Sequence, residues 1–153
     1  MRQFGKVFVI SLASLLVIGL IWFTQKDRQV VVADLAPATV QADRQAAKRV
    51  LQANITATNQ GDLAAYLATI APSKRATTEQ ELAPTFKQQR TQLKLRRFTV
   101  QKQTADRLVA KVDQLQTTKG QAKQQVLESN LEFTRHGEQW YIKQSILFNV
   151  VTN

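Results

Sequence analysis

The sequence predicts an α+β domain, two to three helices packed on a bent four-stranded antiparallel sheet, carried behind an N-terminal transmembrane helix. Three observations carry that expectation. An uncharged apolar run extends from Val7 to Phe23, apolar residues recur at helical spacing from Pro37 to Ile70, and a period-two alternation begins at Leu93 and persists to Val150.

The apolar run, read as a helix, rises roughly 25 Å, and Phe4 and a snorkelling Lys6 extend its reach. Arg2, Lys6 and the amino terminus outweigh Lys26 and Arg28 on the far flank, which puts residues 1–6 in the cytoplasm and everything from Thr24 outside. The run is apolar all round, which argues against a helix of a soluble core. A charged start followed by an apolar stretch also describes a cleaved signal peptide. The residues after the run, Thr24-Gln25-Lys26-Asp27-Arg28-Gln29, lack the small side chains a peptidase requires. Residues 7–23 are therefore expected to remain as a signal anchor in the cell membrane, with secretion after cleavage near Ala33 or Ala36 as the alternative. Residues 24–36 form a juxtamembrane linker, partly β-branched at Val30-Val31-Val32, and residues 37–153 form the extracytoplasmic domain.

The chain has 153 residues, which is room for one domain. With no cysteine it can hold neither a disulfide nor a thiolate metal site, and it offers no Cys nucleophile and no lipoprotein anchor. A single histidine removes imidazole-rich metal centres as well, so no metal and no cofactor is expected.

Pro37 suits a first helical turn, and Val40, Ala47, Val50, Leu51 and Ile55 recur at helical spacing after it. Gly61 can end that helix in the left-handed conformation, and Asp62 can cap the next, in which Leu63, Tyr66, Leu67 and Ile70 form a stripe closed by Pro72. A third helical piece runs from about Thr77 to Thr91, with Pro84 breaking or restarting it. Four strands follow, at about Leu93–Gln103, Leu108–Thr118, Gln124–Arg135 and Gln139–Val150, and their short connections imply antiparallel hairpins. In the first, Leu93 and Leu95 are out of phase with Phe98 and Val100, which predicts a β-bulge near Arg96-Arg97. In the last, Trp140, Ile142, Ile146, Phe148 and Val150 are expected on one face, with Tyr141, Lys143, Ser145 and Asn149 on the other.

This order resembles the nuclear transport factor 2-like superfamily, a cone in which a curved sheet wraps N-terminal helices. The stretch Tyr66-Leu67-Ala68-Thr69-Ile70-Ala71-Pro72-Ser73, then Leu82…Phe86, Leu93-Lys94-Leu95, Gln116-Thr117-Thr118-Lys119 and Gln139-Trp140-Tyr141-Ile142, is similar to membrane-anchored extracytoplasmic members in bacilli and lactobacilli. The resemblance covers about Pro37 to Val150. It implies the fold but not the chemistry, because the superfamily holds both enzymes and binding proteins.

Enzymes of that superfamily place an acid/base carboxylate inside the apolar mouth of the cone. Asp113, Glu128 and Glu132 are the sheet carboxylates that invite the comparison, but Arg107, Lys111 and Lys143 are available as cross-strand partners on a solvated face. His136 falls in a hairpin tip, and no Ser/His/Asp grouping or phosphate-cradling glycine loop is present. No catalytic residue is assigned, and the chain is read as a non-enzyme.

Charge is more informative, since the part after the anchor keeps a surplus of cations, dense at Lys87, Arg90, Lys94, Arg96, Arg97 and Lys102. These are the candidate anion- or partner-binding residues. Anionic wall polymers and lipid headgroups are the polyanions available outside a bacterial membrane. The shortage of interleaved aromatics argues against nucleic acid. Tyr66, Phe86, Phe98 and Trp140 are the candidates for lining a cavity in the cone, with a simple core as the competing reading.

The leading expectation is a membrane-tethered, non-catalytic binding or accessory domain of a bacterial envelope complex, with an envelope protein as partner. One alternative, implied by the resemblance, is an assembly factor of type IV secretion or conjugation channels. The other is an extracytoplasmic enzyme or carrier for a small hydrophobic ligand. A homodimer is a further expectation, because Tyr141, Leu147 and Val151 lie away from the main stripe of the last strand.

Overall fold

The computed structural model describes residues 36–152 apart from Gln89. The expected anchor at 7–23 and linker residues 24–35 lie outside the described residues. Among the described residues no helix is long and apolar enough to cross a membrane.

Helix α1 runs from Pro37 to Gln60. It exists because Pro37 fixes the first turn and because one stripe, Ala47, Leu51 and Ile55 with Asn54 and Thr58, can be buried together. It stops where Gly61 takes φ 67° and its backbone N–H reaches back to Ala57 and Thr58, a conformation that would strain any residue with a Cβ. Asp62 then caps α2 (Leu63–Ala68), its carboxylate accepting the Ala65 N–H at 2.9 Å. A short 3₁₀ turn at Pro72–Lys74 leads into α3 (Arg75–Leu82), and a second one at Phe86–Gln88 precedes the sheet. The third helix thus starts two residues before the expected Thr77. It ends at Leu82 rather than reaching Thr91, because Pro84 cannot continue it and the chain turns there.

The four strands are β1 (Thr91–Gln103), β2 (Arg107–Thr118), β3 (Gln125–His136) and β4 (Gln139–Thr152), paired antiparallel in the order β1-β2-β3-β4. The central pairing of β2 with β3 is unbroken. Both edge strands are bulged. On β1 the register shifts between Leu95 and Arg97, as expected, and again between Val100 and Lys102. On β4 it shifts at Lys143 and at Phe148, where β3 residues Glu132/Phe133 and Glu128/Ser129 face strand residues two apart. Bulges add local twist, so four of them at the two edges curl the sheet around α1.

The β4 bulges correct the expected face pattern of that strand. Trp140 and Ile142 face the core, but after Lys143 the phase inverts, so Ser145 is buried at 3% exposure while Ile146 is turned out at 52%. Simple alternation assumes an unbroken pleat, and an extra residue flips every side chain beyond it. Leu147 accordingly lies on the core side, across from buried Ser129, and not on the outer face.

The core sits between α1, α2 and the concave sheet face. Leu51, Leu108, Val112, Leu131 and Phe133 are buried there, and Tyr66 meets Phe86 edge-on at 5.1 Å between ring centroids. Two polar ties hold α1 along the sheet. At its start the Trp140 indole N–H donates to the Asp43 carboxylate at 3.2 Å, and Arg135 approaches the same oxygen at 3.5 Å. At its end the Asn59 side chain bonds both the N–H and the C=O of Leu93, at 2.8 and 2.9 Å. The helix therefore runs antiparallel to β1, and the chain enters the domain at the pole of the β1–β2 and β3–β4 turns.

Removing the Asp43 carboxylate strands a buried indole N–H. Asp43→Ala is expected to cost about 2 kcal/mol, and Asp43→Asn, which keeps an acceptor, less than half of that. Denaturant unfolding followed by circular dichroism measures both.

Candidate functional site

The C-terminal end of α1, the Phe86–Gln88 turn, the start of β1 and the β2–β3 turn meet at the pole opposite the chain entry. The Asn59–Leu93 bonds and a third one, from the Gln92 amide to the Asn59 carbonyl at 3.3 Å, pin β1 to the helix end. The Lys119 backbone N–H donates to the Arg90 carbonyl at 2.9 Å and closes the pole. This brings Lys87, Arg90 and Lys119 together, with Lys94 a short way along β1, all exposed. Among the described residues none of these four makes an ion pair, which leaves their charge free to act outward.

The other expected cations are placed differently. Arg96 is the residue left unpaired by the first β1 bulge and is exposed. Arg97, its side chain 67% exposed, stands over the buried Asp113 carboxylate at 3.5 Å, so its charge is partly taken up there. Lys102 lies eight residues beyond Lys94 with two bulges between them, about 20 Å along the strand, and is not part of the pole. Lys119 was not singled out from the sequence. Its place in a turn with Gly120, at φ 85°, was the available signal, but only the β1–β2 pairing reveals that this turn lies beside Arg90.

The sheet carboxylates share the outer face. Glu132 receives Arg107 through two bonds of 3.0 and 3.1 Å and Lys143 at 3.1 Å. Glu128 receives Asn149 at 2.8 Å and has Lys111 at 3.7 Å. They are cross-strand partners of cations on a surface away from the helices. His136 is exposed and lies edge-on to Tyr141, with ring centroids 5.9 Å apart. Among the described residues no three carboxylate or imidazole groups gather as a metal site requires.

Of the cavity candidates, Tyr66, Phe86 and Trp140 are buried in the main core cluster. Phe98 is half-buried and packs edge-on against Phe133 at 6.0 Å. Polar groups inside the cone include Asn54, whose amide donates to the Thr69 hydroxyl at 2.8 Å, the phenol of Tyr66, and Ser129 and Ser145.

A curled antiparallel sheet closed over three helices in this order is the nuclear transport factor 2-like cone. Within that class the chain belongs to the family of the anti-sigma-I factor RsgI9 C-terminal domain, whose sequence profile matches residues 49–152. No curated protein sequence matches the chain. Among solved structures it is similar to a protein of Novosphingobium aromaticivorans with a provisional scytalone dehydratase assignment, at TM-score 0.59 and 11% identity over 77% of this chain and 91% of the other. A provisionally assigned aromatic-ring hydroxylase of the same organism gives TM-score 0.57 and 14% identity over 78% and 96%. A hexachlorocyclohexane dehydrochlorinase, LinA type 2, gives 0.51 and 11% over 77% and 93%. At such identities the likeness is one of fold.

Burial raises the Tyr66 phenol from 10.0 to about 12, against the smaller opposite pull of a hydrogen bond with Asn54. Its folded value lies above its unfolded one, so its contribution to stability is complete below pH 10 and is lost as pH rises from 10 through about 12. An alkaline absorbance titration is expected to show this phenol ionising last, and Tyr66→Phe is expected to remove that part of the alkaline loss of stability.

Proposed function

We propose that the chain is a membrane-tethered, extracytoplasmic binding domain of a bacterial envelope regulatory complex, working without catalysis and recognising its partner through the basic pole. The observation that carries this reading is the set of exposed, unpaired cations Lys87, Arg90, Lys94 and Lys119, fixed in place by backbone bonds at one end of the fold. Cations gathered by the backbone and left without counter-charge favour an anionic surface, and their field is felt over about 8 Å at physiological salt.

Family membership supports the regulatory part. An anti-sigma factor works by association, and a domain placed outside the membrane in such a protein receives a signal or a partner. The fold neighbours include enzymes by name, which is why the interior matters. The cone holds Tyr66, Phe86 and Phe133 as packed core, its buried carboxylate Asp43 is engaged by Trp140 and Arg135, and on the opposite face Glu128 has Lys111 and Glu132 has Arg107 and Lys143. The anchor at residues 7–23, with the N-terminus in the cytoplasm, completes the proposal. It keeps the domain at high effective concentration near any membrane partner.

The test is in-cell photo-crosslinking from position 96 in the full-length protein, beside the same protein carrying Lys94→Gln and Lys119→Gln. A discrete protein captured by the parent and lost in the charge variant is expected, with capture from isolated membranes falling several-fold between low and physiological salt. Crosslinks to wall polymer or lipid alone, or capture indifferent to both substitutions, contradict the reading. The substitutions lie on exposed positions and are expected to change stability by less than about 0.5 kcal/mol.

A further inference from the structure

The far half of β4 is unlike every other part of the surface. Ile146, Phe148, Val150 and Val151 are the exposed large hydrophobic residues of the described chain, at 52, 49, 44 and 41%, and all lie within six positions of one edge strand. No charge occurs from Gln144 to Thr152. The opposite edge, β1, carries Lys94, Arg96, Arg97 and Lys102, which is how an edge is normally kept from pairing. On β4 only the first part is covered: Ile142 exchanges backbone bonds of 2.8 Å with Thr69 and Ala71. Beyond Phe148, the last four strand residues have β3 on one side and, among the described residues, nothing on the other.

The strip is bounded by cations. Arg75, over the Tyr141 ring at 5.4 Å, and Lys143, shared with Glu132 at 3.1 Å, lie at the start; Lys111 stands over the Phe148 ring at 5.3 Å, and Lys123 sits in the turn two residues from Gln125, which pairs with Thr152. Pairing β4 with β4 of a second copy would be antiparallel, because a two-fold axis demands it, and would set the Lys143/Arg75 end of one against the Lys123 end of the other. A fitting occupant is instead an extended apolar segment with a carboxylate at each end, about as long as the strip.

The chain contains one. Asp27-Arg28-Gln29-Val30-Val31-Val32-Ala33-Asp34 has three successive β-branched residues between two aspartates and a net charge of −1. Its aspartates are about 23 Å apart when extended, against about 26 Å from Lys143 to the end of β4. The same copy cannot supply it. Ala36 lies at the Asp43–Trp140 pole, Val31 is five residues away and reaches about 17 Å, and Val150 is about 26 Å along the strand from Trp140. We propose that residues 27–34 of one copy dock on the β4 edge of a neighbouring copy, pairing with Asn149–Thr152, so that the domains are joined by exchanged arms. This goes beyond the basic-pole reading and uses different residues; it requires only that the segment stay attached to the domain.

The absence of cysteine makes the test clean. Two differently tagged full-length proteins are co-expressed, one with Val150→Cys and the other with Val30→Cys, Val31→Cys or Val32→Cys, and membranes are oxidised and run without reductant. The expected result is a mixed dimer whose yield alternates along 30, 31 and 32, about ten-fold above a Lys94→Cys control on β1, since successive strand residues face opposite ways. Equal yield at all three positions, or equal yield on β1, overturns the proposal. So does a link formed only within one copy in the doubly substituted chain, or a mature N-terminus, read by mass, that begins after Ala33 or Ala36. Only the cleaved N-terminus also removes the tether proposed above; the other outcomes leave capture at the basic pole untouched.

Discussion

Everything in this domain depends on the curl of the sheet around α1. A flat sheet of four strands could touch only a narrow line of a helix, whereas here residues from β1 at one side and β4 at the other both reach the same helix. Arg44 bonds Gln103 on β1 at 3.0 Å while its neighbour Asp43 bonds Trp140 on β4, so consecutive helix residues are gripped from opposite edges. Such a grip encloses Ala47, Leu51 and Ile55 and turns a modest amphipathic stripe into a fully buried one.

That enclosure also sorts the polar groups. Carboxylates of β2 and β3 are excluded from the concave side by the pleat, and on the convex side they find lysine and arginine across the strands. The concave side keeps only neutral polar groups at its centre, such as Asn54, Thr69 and Ser129. In a fold that hosts enzymes elsewhere, the difference between a reactive cone and an inert one comes down to which face of a strand a carboxylate occupies. For Glu128 and Glu132 that is the parity of their positions in β3.

Much of this was legible in the residues. The end of α1 at Gly61, the cap at Asp62, four strands with their turns and the first β1 bulge all follow from local chemistry, and local chemistry is what a sequence displays. The phase of β4 was not legible, because Ser145 and Ile146 exchange their expected places only through a bulge specified by pairing with β3. The basic pole was half legible. Lys87, Arg90 and Lys94 are neighbours in the chain, but Lys119 joins them through a strand pairing that no short pattern encodes. The cluster of apolar residues at the end of β4 was visible as composition. The exposure of Ile146 and Phe148 follows from the two β4 bulges, which depend on pairing with β3.

The four residues skipped by the strand pairing, Arg96, Gln101, Lys143 and Phe148, are all exposed and all on edge strands. Each could be removed without giving any other strand residue a new partner, so the alignment of the strands and their curvature are specified by separate residues. Relatives built on this plan can therefore gain or lose one such residue and open or tighten the hollow over the sheet while every remaining cross-strand contact is inherited intact. Single-residue insertions at the two rims are thus a route by which one architecture yields both a filled interior and a cavity able to hold a ligand.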